Sequence, residues 1–273
     1  MGRSYRGQTV VITGASDGIG AELARRLAPE GPHLVLAARG AAALEAVAAT
    51  CRGLGAQVTV QATDVADAAQ CQRLIEVAAQ AGGGIDVLVN NVGVSTHAPL
   101  AEAVDSGLFE QVLRVNVMGS VWCTRYALPQ LLARRGQIVA VCSLAGRLGI
   151  AQRSAYCASK FAQDGFFQAL RAELRGSGVA VSLIYPGFVA TGFAAHSLDA
   201  HGQPYGKAVV TPARAMSVAE CAGRILAAMR ARRPETVLTG VGRVALWLKL
   251  LAPTAVDRLT GRTVQRAKQR APA

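Results

Sequence analysis

The stretch Thr9-Val10-Val11-Ile12-Thr13-Gly14-Ala15-Ser16-Asp17-Gly18-Ile19-Gly20-Ala21-Glu22-Leu23-Ala24-Arg25-Arg26-Leu27 passes from an apolar, β-branched run through three glycines into a helical pattern. A short apolar run bounded by a turn signal reads as a buried strand. Glycines at such a turn let the main chain approach a bound group closely, and the helix that follows presents free amides and a positive dipole end to a pyrophosphate. The spacing is Gly-x3-Gly-x-Gly, not the Gly-x-Gly-x-x-Gly of the commoner dinucleotide fingerprint. A lone glycine triplet is by default a tight turn. The strand–turn–helix context points instead to a cofactor.

The alternation repeats downstream. Strands are expected at His33–Ala38, Gln57–Gln61, Ile85–Asn90, Gln137–Ser143 and Ala180–Tyr185. Helices are expected near 41–53, 66–80 and 105–118 (continuing past it), around Tyr156 and Lys160, and from Ser217. Continuous apolar strands alternating with amphipathic helices imply an α/β fold, a single Rossmann-type doubly wound parallel sheet with helices on both faces. Its ligand crevice lies at the carboxyl ends of the strands. Residues 1–235 read as one cofactor-binding catalytic domain, and 236–273 as a C-terminal helical extension. Within the domain, 192–212 has few periodic apolar positions, as a lid or binding loop does.

At 273 residues, 51% hydrophobic and 17% charged, the chain is large enough to bury a core without staples. No run reaches a membrane span, and the N-terminus shows no export signal, so the expected location is the cytoplasm. Six scattered cysteines read as buried thiols, with Cys142 facing away from Ser143 on a shared strand. The four histidines, His196 and His201 included, lack ligand spacing, and no metal is expected. Of the net charge of +12, residues 224–273 carry +9, from eleven Lys/Arg against Glu235 and Asp257. Those charges alternate with apolar residues and accompany no groove-reading motif, which argues against nucleic acid.

Tyr156 and Lys160 stand four residues apart in Ser154-Ala155-Tyr156-Cys157-Ala158-Ser159-Lys160, one turn apart on one helix face. A tyrosine ordinarily ionises near ~10, and a neighbouring ammonium favours the phenolate. Taken alone, such a pair is usually a solvated helix face. Ser143, which ends an apolar run upstream, and the glycine turn make the combination far more specific.

Together these motifs resemble the short-chain dehydrogenase/reductase family over residues 8 to about 230, and from Ser217 onward, loosely, its hydroxysteroid-dehydrogenase-like branch. The resemblance implies that Gly14, Ser16, Asp17, Gly18, Ile19 and Gly20 form the pyrophosphate turn and that Asp64 and Val65 touch the adenine. Asn90-Asn91-Val92-Gly93 matches the family's Asn-Asn-Ala-Gly apart from Val92, which could crowd the backbone slightly. Pro186, Gly187, Val189 and Thr191 fall in the segment that holds the nicotinamide carboxamide. The implied catalytic group is Asn116, Ser143, Tyr156 and Lys160. Tyr156 passes the proton, and Ser143 donates to the same substrate oxygen. Lys160 lowers the tyrosine pKa and holds the nicotinamide ribose, while Asn116 holds a water linking Lys160 to solvent.

Strand two ends Leu36-Ala37-Ala38-Arg39, with no acidic residue for a ribose hydroxyl and Arg39 suited to a 2′-phosphate. NADP(H) is therefore expected over NAD(H), although Asp17 cuts the other way. The expected reaction interconverts a ketone and a secondary alcohol on a lipophilic, steroid-, retinoid- or sphingoid-like substrate. A non-catalytic NADP-binding regulator and an NAD-dependent alcohol dehydrogenase are the alternatives. The family implies a homodimer or homotetramer. Val241–Leu251 is apolar nearly all round, which predicts burial over the site or against a second subunit ahead of peripheral contact with an anionic membrane.

Overall fold

The structure, a computed structural model, describes residues 4–102, 107–194, 197–206 and 215–258. Seven parallel strands form one sheet: β1 (Thr9–Thr13), β2 (His33–Ala38), β3 (Gln57–Ala62), β4 (Val87–Asn90), β5 (Gln137–Val141), β6 (Ala180–Tyr185) and β7 (Glu235–Val237), in the order β3-β2-β1-β4-β5-β6-β7. The strand order reverses between β1 and β4, where an open sheet of this kind leaves a crevice at its carboxyl edge.

Period-two alternation sends each strand's side chains into both helical layers. Val10 and Ile12 join Leu34 and Leu36 under α1 (Gly18–Leu27), α2 (Ala41–Gly53) and α7 (Val218–Arg230). Val11, Val35 and Leu88 point the other way, onto α3 (Ala68–Gly82), α5 (Gly119–Arg134) and α6 (Ser154–Glu173). All six cysteines are buried and unpaired.

Differences from the sequence reading have local causes. The third helix starts at Ala68 because the Asp67 carboxylate caps it, accepting from Ala69 N at 2.8 Å. Strand β5 stops at Val141 because the Ser143 hydroxyl accepts from Ala145 N at 3.1 Å, capping a 3-10 turn over Leu144–Gly146. The helix expected near 105–118 is interrupted. It runs as α4 (Gly107–Leu113), then a π-turn Arg114–Met118, then α5, while residues 105 and 106 lie outside the described residues. Such a turn often marks a functional position.

Burial of the C-terminal helix by its own fold is corrected. In α8 (Gly240–Leu251) only Gly242 is buried, and Val241, Val244, Trp247, Leu250 and Leu251 are 66–83% exposed. The two layers over the sheet are already complete, so α8 rests on its edge. Lys249 Nζ donates to the Arg147 carbonyl at 2.6 Å and lies 5.1 Å from the Phe161 ring centre. No described helix is long and apolar enough to cross a membrane. The basic tail 259–273, His196 and residues 207–212 of the expected lid lie outside the described residues.

Candidate active site

The turn after β1 needs its glycines. Gly14 and Gly18 have φ of +66° and +54°, in the left-handed region that favours glycine. A Cβ on Gly20 would stand 2.2 Å from the Gly14 carbonyl oxygen. Asp17 caps α1, accepting from Gly18 N at 2.6 Å, which gives this carboxylate a structural role in the turn. Asn91 Nδ2 donates to the Thr13 and Gly14 carbonyls at 3.1 and 3.0 Å and so clamps the turn to β4. Thr191 closes the other side, 3.3 Å from where a Gly18 Cβ would be. This main-chain cradle suits a dinucleotide pyrophosphate.

The remaining expected cofactor residues follow the carboxyl edge of the sheet. Ser16 and Ile19 are half-buried, Ile19 against the first core layer. Arg39 is exposed at the end of β2 and has no ion-pair partner among the described residues. Asp64 turns back on its own loop, accepting from Ala66 N, while Val65 is buried against Gly119. Asn90 is buried and donates to Thr124 Oγ1 at 3.0 Å. Val92 packs against the second core layer, so its extra methyls are accommodated. The Pro186 carbonyl accepts from Leu144 N at 3.1 Å, Gly187 abuts Leu144 and Thr239, and Val189 bridges to Met216. The Ser143 turn and the 186–191 segment are thereby joined.

At the ends of β4 and β5 the four catalytic candidates gather. Ser143 is half-buried; its oxygen accepts from Ala145 N, which leaves its hydrogen to donate, and it lies near enough to Tyr156 to favour the phenolate. Lys160 is buried and donates to the Val141 carbonyl at 3.2 Å and to Gln163 Oε1 at 2.9 Å. Both Lys160 Nζ and Asn116 Oδ1 border Gly93, at 3.5 and 3.6 Å from its would-be Cβ. Asn116, in the π-turn, accepts from Val94 N at 2.8 Å and donates to the Val94 carbonyl and Ser159 Oγ. A Cβ on Gly146 would stand 2.7 Å from the Lys160 carbonyl oxygen, so the Ser143 turn and α6 touch at main-chain distance.

Asn116 and Lys160 are joined through a side chain, Gln163. Gln163 Nε2 donates to the Asn116 carbonyl at 3.2 Å and to Ser120 Oγ at 2.8 Å, while its oxygen holds Lys160. The Tyr156 pKa has a different balance from the sequence expectation. Burial is the main cause and pushes it up to about 12, opposed first by the Ser143 hydrogen bond and then by the charge of Arg153. Burial likewise brings Lys160 down to about 8, and it pushes the Cys142 thiol up to about 12. Cys142 lies in the second core layer.

Gln163, Arg153, Phe193 and Arg147 carry parts of the site that the motifs did not name. Phe193 lies across Tyr156, ring centres 5.9 Å apart. Arg147 pairs with Asp164 at 2.7 Å and Glu235 at 3.0 Å and stacks on Tyr185, tying β6, β7 and α6 together behind Ser143. Gln163 and Asp164 continue the Tyr156/Lys160 face at helical spacing. Two polar residues on a buried stripe were the available signal. Among the described residues no three His, Cys, Asp or Glu side chains form a metal-sized cluster.

The family model described as short chain dehydrogenase matches residues 8–201. Dehydrogenase/reductase SDR family member 7B of Bos taurus is 35% identical over 266 residues, covering 94% of this chain and 82% of the relative. The 11-beta-hydroxysteroid dehydrogenase-like 4A protein of Arabidopsis thaliana is 33% identical over 248 residues, covering 90% and 81%. Among solved structures, a short chain dehydrogenase/reductase from Burkholderia phymatum in complex with NAD superposes with a TM-score of 0.81. It is 29% identical, and the match covers 93% of this chain and 96% of that one.

Proposed function

Because the chain belongs to the short-chain dehydrogenase/reductase family, we propose that it interconverts a ketone and a secondary alcohol, using NADP(H), on a lipophilic substrate. The observation that carries this reading is the convergence described above: Ser143 beside Tyr156, with Lys160 and Asn116 against Gly93. Tyr156 gives its proton to the carbonyl oxygen in reduction and takes it back in oxidation. Ser143 donates to the same oxygen and offsets its developing charge. Lys160, fixed by Val141 and Gln163, presents its ammonium to the ribose and to the phenolate that Tyr156 becomes.

The nicotinamide cofactor supplies the hydride when bound. The 14–20 turn would hold its pyrophosphate, Asp64 and Val65 the adenine, and Asn90, Asn91 and Gly93 the ribose side. Pro186, Gly187, Val189 and Thr191 would hold the carboxamide. Arg39 favours the 2′-phosphate, since it is an exposed guanidinium with no acidic neighbour at the end of β2. The NAD of the Burkholderia relative makes NAD(H) the second reading.

An apolar wall supports the lipophilic assignment. Ala98, Leu108, Val112 and Ala155 cluster with Val94, Phe109 and Leu198 beside the site. The exposed stripe of α8 is read as a subunit contact in a homodimer or homotetramer, with an anionic membrane surface as the alternative, and the protein is placed in the cytoplasm. Residues 1–235 act as the catalytic domain and 236–273 as its extension.

The test is a ketone panel followed by NADPH and NADH oxidation, with Tyr156→Phe as the blank. Turnover should fall by about 10²- to 10⁴-fold in the variant. Equal turnover in both proteins would remove Tyr156 from the chemistry.

A further inference from the structure

Beside the reacting hydroxyl lies a group of polar side chains with unused hydrogen-bonding capacity. Residues 95–97 pair with Leu198 of the covering segment: Leu198 N donates to the Ser95 carbonyl and His97 N to the Leu198 carbonyl, each at 2.8 Å. In this extended pairing Ser95 and His97 share one side and Thr96 faces the other. Ala98 N donates to the Gln152 carbonyl at 2.9 Å, bringing the strip against the start of α6. There Arg153, three residues before Tyr156, reaches His97 Nε2 with one guanidinium nitrogen. Tyr205 stacks on the far face of the imidazole at 4.7 Å.

What this group lacks, among the described residues, is an anionic acceptor. Arg153 is only 9% exposed, and among the described residues no carboxylate pairs with it. Guanidinium nitrogens only donate, so the bond to His97 Nε2 leaves the imidazole hydrogen on Nδ1. Among the described residues His97 Nδ1 is buried without a partner, and so is Ser95 Oγ. His97 cannot supply the missing counter-charge. Burial and the neighbouring Arg153 charge push its pKa down to about 3 and keep it neutral. A buried cation with no anion beside it among the described residues is costly, and an anion from outside would relieve that cost.

Resting on the reading of the site as a ketone reductase, we propose that Arg153, Ser95 and His97 form a subsite for a carboxylate carried by the substrate, within a few bonds of the carbonyl that meets Tyr156. The substrate class is then an oxo acid (or the matching hydroxy acid) with an apolar chain against the partly buried Val94 and Phe109 of the same cluster. Arg153 supplies charge-assisted hydrogen bonds, and Ser95 and His97 Nδ1 add uncharged donors.

The probe is a medium-chain 4-oxo acid compared with its methyl ester, both assayed for coenzyme oxidation. Calorimetric binding of the saturated acid of equal length to coenzyme-loaded protein is measured in parallel. The wild-type protein should favour the acid on the order of 10- to 100-fold in kcat/KM, the worth of a hydrogen-bonded charge. Arg153→Met should bring that ratio to about one and weaken the saturated acid at least about tenfold, with Arg153→Lys between the two. Equal wild-type kcat/KM for acid and ester overturns the subsite while the ketone reductase reading stands. If neither compound turns over, that reading fails. Binding then decides the subsite: acid binding that weakens in Arg153→Met supports it, and no binding, or equal binding, overturns it. Should Arg153→Met not fold, the wild-type ratio and Ser95→Ala, expected to lose about threefold or more of it, decide the subsite in its place.

Discussion

Gln163 holds Lys160: its amide oxygen accepts from the ammonium at 2.9 Å, both side chains are buried, and its nitrogen is spent on Asn116 and Ser120. This acceptor favours the charged form of a lysine that burial otherwise disfavours. Gln163→Leu should therefore lower the Lys160 pKa further and cost on the order of tenfold in kcat. Gln163→Glu should raise that pKa. The check is the kcat pH profile of both variants. Opposite displacements are expected, whereas a purely structural glutamine would alter melting temperature and leave the profile in place.

The coenzyme-free protein should grow more stable as pH rises through the range where folded Lys160 loses its proton. Its pKa is about 8 folded against 10.5 for the ordinary side chain, so between these values the unfolded chain binds more protons and stability climbs with pH. Tyr156 acts in the opposite sense and higher up. With a folded pKa of about 12 against 10.0, it makes stability fall between those values. Urea midpoints from pH 7 to 10 should rise relative to Lys160→Met, and a flat difference would show that the lysine is not desolvated.

Arg39→Ala should shift coenzyme choice toward NADH. A charge-assisted contact to a 2′-phosphate is worth about 1–3 kcal/mol, or roughly tenfold and more in the NADPH/NADH ratio of kcat/KM. A wild-type preference for NADH would remove the assignment.

Arg147→Met should destabilise the fold without touching the reacting groups. It strips the partner from Asp164, which is 8% exposed, and loosens Glu235 on the edge strand. Because Arg147 is itself 28% exposed, solvent screening reduces the loss to about 2 kcal/mol. Urea unfolding measures it.

The sheet and the Tyr156–Lys160 pairing on one helix were legible because each rests on short-range pattern. Continuous apolar strands give parallel pairing, and the Tyr156–Lys160 spacing gives a shared helix face. What escaped depends on contacts between distant segments. Nothing local to Asn116 signals a π-turn. Gln163 reads as an ordinary helix polar residue until Asn116 and Ser120 come to meet it. Arg153 and His97 are 56 residues apart and acquire meaning only when the 95–98 strip docks on α6. For α8, the residues themselves read as apolar nearly all round, which pointed to burial. Its exposure follows from a sheet already covered on both faces, which no reading of 241–251 alone contains.

The close approach at Gly146 gives the site an unequal tolerance of change. The spacing of Ser143 and Tyr156 is fixed by one main chain lying on another, so side chains around the pocket can be exchanged while the two hydroxyls keep their separation. Variation at Phe193 and in 197–206 would then retune which molecule is accepted, and a single methyl added at Gly146 would reach the chemistry itself.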